Sequence, residues 1–201
     1  PRADWCLFCL LGAMKDKPHA SLKFVMEWAE VELDFMFLNS KLEPCLEHEA
    51  WCTTLAGVES HSGCPLSLPI PSRDEKHPAH LYIIKAVINY ITRLGLPEVT
   101  IKGDGESSLW IIIQKVAAFR TKNGFTTQTK KAPRYSSQTM GRIGPMQALL
   151  QSTFRVIRAD VESRYAIKLK PEMNVWAWLI KYAGFLVEIA HIKVNKLSLI
   201  H

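Results

Sequence analysis

The chain has 201 residues, 48% of them hydrophobic and 22% charged, with a mean hydropathy of +0.00. These values fit one globular domain with at most a short appendage, and they exclude a multidomain machine and a disordered chain. The net charge of +6 is unevenly spread: residues 1–60 carry 5 Lys/Arg against 10 Asp/Glu, and residues 61–201 carry 20 against 9. A basic excess on one part of a domain favours a polyanionic partner. The stretch from Val175 to Ile192 is apolar but contains Lys181, Glu188 and His191, so it predicts a buried or amphipathic helix and no membrane partner. No charged-then-apolar leader opens the chain, and five scattered cysteines argue for a reducing compartment. An intracellular protein, nuclear or cytoplasmic and not secreted, is expected.

In chain order, Lys15-Asp-Lys-Pro-His19 reads as a linker. Glu32 to Leu38 predicts a buried strand, Trp51 to Val58 a second, and Cys64 to Ile70 an edge or irregular third because of Pro65 and Pro69. Gly63 marks a hairpin turn between the last two. The period then changes. Leu81, Ile84, Val87, Ile88 and Ile91 give a helix over 80–94, closed by Gly95 and Pro97. Val99-Thr-Ile101 is a short strand, Ser107 to Arg120 a second helix, and Phe125 to Lys131 an edge strand. After a polar loop from Ala132 to Met140, helices are predicted from Pro145 to Tyr165 and from Pro171 to about Ala190. This order predicts an α/β fold: three antiparallel strands, then parallel strands, in one mixed sheet with helices on both faces.

Two acids carry the chemical interest. Asp34 is a carboxylate inside an apolar strand, and Asp104 follows a strand between two glycines. Each has an ordinary reading, a strand acid paired with an amide or lysine and a turn Asp capping the next helix. Together they stand at two neighbouring strands, a common way to hold a divalent metal for phosphoryl transfer. Glu106 reads as favourable charge at the N-terminus of the following helix. Between Glu106 and Asp160 the chain has no Asp or Glu but nine Lys/Arg, the strongest nucleic-acid signal in the sequence. Cys45, Cys52 and Cys64 read as small apolar residues.

Leu33-Asp34-Phe35, Lys102-Gly-Asp104-Gly-Glu-Ser-Ser and Ala132-Pro-Arg-Tyr-Ser-Ser-Gln138 resemble the catalytic core of retroviral and retrotransposon integrases. Ile157-Arg-Ala-Asp-Val-Glu-Ser-Arg-Tyr165 and Trp176-Ala-Trp-Leu through Phe185 resemble later integrase segments of retrotransposon Pol polyproteins, so the resemblance spans about residues 5 to 195. It implies an RNase H-like fold and DNA integration by a set of Asp, Asp and Glu that binds two Mg²⁺ or Mn²⁺ ions.

Asp34 and Asp104 match the first two acids. The third belongs in a pattern like Ser-x-Gly-x-x-Glu, and the ungapped count puts Gly144 there. Pro145 is expected to disfavour helical geometry at Gly144. The implied site is therefore a degenerate one, with weak Mg²⁺ or Mn²⁺ binding. The resemblance and the basic run assign DNA contacts to Lys130, Lys131, Arg134, Tyr135, Ser137, Gln138, Arg142, Arg155 and Arg158, with self-association open.

In integrases a His pair precedes a Cys pair in an N-terminal zinc module. Cys6-x-x-Cys9 is half of such a site, so residues 1–20 read as a remnant of that module plus linker, and residues 21–201 as the core-like domain. Zinc is expected only where the missing half is present. Two other readings stand: a noncatalytic DNA- or protein-binding module on the same fold, and an RNase H-like nuclease using another acid such as Asp160 or Glu188.

Overall fold

Alternate apolar residues along the first strand serve two different cores. In the computed structural model, which describes residues 28–39, 45–46, 50, 52–132, 140–170 and 173–198 (191–198 by backbone alone), strand β1 spans Ala29–Leu38. Val31, Leu33 and Phe35 belong to one buried cluster, and Met36 and Leu38 to another on the opposite face. A strand points successive side chains to opposite sides, so a strand buried on both faces must sit centrally. It does.

Strands β2 (Cys52–Glu59) and β3 (Pro65–Ile70) form the predicted hairpin, whose turn has Gly63 at φ 66°. Strands β4 (Glu98–Gly103) and β5 (Thr126–Lys131) complete a sheet of order β3-β2-β1-β4-β5. The β1–β2 and β2–β3 pairs are antiparallel, and β1–β4 and β4–β5 are parallel. The proline-bearing β3 and the polar β5 take the two edges, where missing ladder bonds and solvated side chains cost least.

Helix α1 (His80–Arg93) and helix α2 (Ser107–Lys122) cover the face of Val31 and Leu33 through Ile83, Val87, Ile91, Leu109, Ile112, Ile113 and Val116. Helix α3 (Ile143–Tyr165) and helix α4 (Val175–Ser198) cover the other face through Ile143, Met146, Leu150, Phe154, Trp176, Ile180, Ala183 and Val187. The result is the expected mixed α/β sheet with helices on both faces. Among the described residues no helix is long and apolar enough to cross a membrane.

Three boundaries differ from expectation. The last helix begins at Val175, not Pro171. Helix α3 begins at Ile143, so Gly144 and Pro145 both lie in its first turn. A first-turn N–H has no intrahelical acceptor to lose, so proline is tolerated there, and the expected break at Gly144 does not occur. Finally, β1 starts three residues before Glu32 and takes in Glu30.

Candidate functional site

Strands β1 and β4 run parallel with Leu33 opposite Gly103, so the next residue on each chain is an acid: Asp34 and Asp104. Both are half-buried. Asp34 lies within β1, which continues four residues further, while Asp104 opens the turn into α2. Gly103 lets α2 pack close against the strand end: a Cβ there would come within 2.5 Å of Ile113 Cδ1, which would have to move aside.

Local bonds fix each carboxylate. Phe35 N donates to Asp34 Oδ1 at 2.8 Å, and Glu106 N donates to Asp104 Oδ1 at 3.0 Å. The second bond closes a short turn just before α2, with Glu106 as its extended N-cap residue. The Glu106 side chain is engaged by the Arg73 guanidinium and by Ser108 Oγ. Arg73 in turn lies over the rings of Phe35 and Phe37, 5.5 and 5.1 Å from their centroids.

A third side chain arrives from α3. Gln147 Nε2 donates to Asp34 Oδ2 at 3.0 Å. Burial pushes the Asp34 carboxyl up to about 6, and the charges of Asp104 and Glu106 push the same way, while the bonds from Gln147 and Phe35 oppose them. Two carboxylates that repel each other in a half-buried place are what a cation relieves. Carboxylate oxygens are the donor type that a divalent ion such as Mg²⁺ takes. Among the described residues no three His, Cys, Asp or Glu side chains are grouped to hold a metal.

Asp160 and Glu188 do not join. Asp160 is exposed and accepts from Arg164 at 2.8 Å, and Glu188 pairs with Arg93 at 3.1 Å. Gly144 is exposed, and a Cβ built on it meets no atom within 4 Å.

The basic run divides. Register places Lys131 beside Gly103, so the C-terminal end of β5 adjoins the acid pair. Lys131 is exposed, with its ammonium 5.5 Å from the centre of the Trp110 ring, and Arg155 is exposed on α3. Lys130 lies 3.7 Å from Glu30, and Arg158 pairs with Glu162 at 2.9 Å and stands over Trp176. Lys115 pairs with Glu75. Arg120 is 2% exposed and structural, bonding Thr127 Oγ1 and the Leu96 carbonyl. The run is thus not free of counter-charges in space, although it is in sequence. Arg142 is exposed at the start of α3; Arg134, Tyr135, Ser137 and Gln138 lie outside the described residues, as do Cys6 and Cys9. Cys45, Cys52 and Cys64 are free thiols, Cys64 buried.

No protein-family model and no curated protein matches the chain. Among solved structures it is similar to the catalytic core domain of BIV integrase, with a TM-score of 0.50 and 13% identity over 80% of this chain and 81% of that chain. The two share a fold, a mixed five-stranded α/β sheet with helices on both faces. At this identity the likeness is one of architecture, and the expected fold class is met in its strand order and in its helices on both faces.

Two residues near the acids escaped the sequence reading. Gln147 sits one helical turn beyond Gly144, a spacing that puts both on one face of α3. Glu32 sits two residues before Asp34, and with Glu30 it makes an alternating acidic face of β1. That alternation was visible in the sequence as Glu-x-Glu-x-Asp.

Proposed function

We propose that this domain is a degenerate integrase core of retrotransposon type that binds DNA, holds at most one divalent cation weakly at Asp34 and Asp104, and does not process or join DNA ends. One observation carries the reading. On an integrase-like fold, the helix that reaches the acid pair brings the amide of Gln147, and the position matched to the third acid is Gly144. A two-ion mechanism needs ligands that hold both ions beside the scissile phosphate, and two carboxylates supply too few. When bound, a single cation supplies charge neutralisation between the two acids. Asp34 and Asp104 hold it, Gln147 orients Asp34, and the exposed Lys131 and Arg155 offer phosphate contacts. Arg142, exposed at the start of α3, extends that surface.

The test is a nicking assay on supercoiled DNA with Mn²⁺, alongside DNA binding by the same preparation. The expected result is salt-sensitive binding without nicking. Nicking by the wild type that vanishes in Asp104→Asn would overturn the reading in favour of a nuclease with a further acid.

A further inference from the structure

Glu32 is a buried acid with an unusual set of partners. It is 3% exposed, and its Oε2 accepts from two backbone amides at the start of α3, Arg142 N at 3.1 Å and Ile143 N at 2.9 Å. Its Oε1 lies 3.7 Å from Lys102 Nζ, which is also 3.3 Å from Glu30 Oε1. Lys102 is the register partner of Glu32 and stands two residues before Asp104, as Glu32 stands two before Asp34. The first N–H groups of a helix lack intrahelical acceptors and carry partial positive charge, so a carboxylate there satisfies them and gains from the dipole. A buried charge without such partners would be strongly unfavourable.

The consequence is geometric. The start of helix α3 is tied to β1 twice within six residues: at Arg142 and Ile143 by Glu32, and at Gln147 by Asp34. Gly144 lies between the two ties. We propose that Glu32 is a positioning residue for the acid pair, a clamp that fixes the first turn of α3 beside Asp34 and Asp104. The proposal rests on the reading of that pair as a cation site. In it Glu32 touches no cation and acts only through the backbone of α3.

The test uses the ¹⁵N-labelled full chain with Mn²⁺ alone as a paramagnetic probe, and amide exchange without metal. In the wild type, Mn²⁺ should broaden the amides of Phe35 and Glu106 together with those of Ile143, Gly144 and the Gln147 side chain. In Glu32→Ala, Phe35, Glu106 and the Gln147 side chain should still broaden, while the broadening of Ile143 and Gly144 weakens. Exchange at Arg142 and Ile143 should accelerate by about tenfold or more, with the Phe154 amide unchanged, since only local opening is eased.

Glu32→Gln, which keeps an acceptor oxygen, should lie between. Should Glu32→Ala lose its native circular dichroism, Glu32→Gln decides alone. Broadening and exchange unchanged from the wild type in the folded variant would overturn the clamp. Absence of broadening at Phe35 and Glu106 in the wild type would instead overturn the cation site, and the exchange rates would then judge the clamp separately.

Discussion

The amide of Gln147 lies 3.0 Å from Asp34 Oδ2, so a neutral donor on α3 completes the environment of the acid pair. A carboxylate at that distance from Asp34 would have needed a cation or a proton between them. The amide needs neither, and it lets the site persist without metal.

Asp34 makes stability depend on pH. Its folded-state carboxyl titrates at about 6, above the ordinary 3.8, so the native chain binds a proton that the unfolded chain has already lost. Stability therefore rises as pH falls from about 7 toward 4, by an amount of order 2 kcal/mol after allowance for partial exposure. Asp34→Asn should flatten that slope and raise the melting temperature at pH 8. Mn²⁺ should do the reverse to affinity, binding more tightly as pH rises through 6. Thermal melts across pH 4–8 check the first, and Mn²⁺ titrations at pH 5.5 and 7.5 the second. A melting temperature that climbs with pH over this range contradicts the assignment.

Gly144→Glu alone should strengthen Mn²⁺ binding. The backbone there is already helical despite Pro145, and the new Cβ meets no atom within 4 Å. We expect about tenfold tighter binding or more, from the added charge. Electron paramagnetic resonance of free Mn²⁺ reads this directly. If the gain appears only when Pro145 is also replaced, the tolerance of proline in the first turn is misjudged.

DNA affinity should fall with salt by a log–log slope of roughly −0.9 per phosphate neutralised. Lys131→Glu and Arg155→Glu should weaken binding to all sequences alike and make the slope shallower. Lys115→Glu should leave the slope nearly unchanged, because Lys115 is held by Glu75 at 2.6 Å. Fluorescence anisotropy at several salt concentrations separates these outcomes. Equal losses from all three would point to net charge and away from a defined surface.

Ala166 closes α3 with φ at 51°, a left-handed conformation that costs a residue with a Cβ. Ala166→Gly should stabilise the chain by about 0.5–1 kcal/mol without touching the acid pair. Urea denaturation is the measurement, with a shift to higher midpoint at unchanged m-value.

Phe154, 2% exposed on the inner face of α3, joins that helix to the buried cluster on this side of the sheet. Phe154→Ala should cost about 3–5 kcal/mol through lost contacts and an unfilled cavity. A loss below 1 kcal/mol in urea denaturation would show that α3 is not packed as described.

The sequence by itself determined the element order, the hairpin and the polar edge strand, while the pairing of Asp34 with Asp104 was implied by the integrase resemblance. The element order, the hairpin and the edge strand rest on short-range information: period two or 3.6, and glycine and proline at turns. It also showed that no acid follows Glu106 until Asp160, a fact no fold can change.

Only the tertiary structure decided what stands beside that pair. Gln147 is 113 residues from Asp34, and Glu32 is 110 from Arg142, so neither contact leaves a local pattern. The same holds for the basic run, whose counter-charges Glu30 and Glu75 come from distant strands and loops. Pro145 illustrates the limit most plainly. Its effect depends on where the helix starts, and α3 starts at Ile143 where Glu32 of another strand receives its first amides.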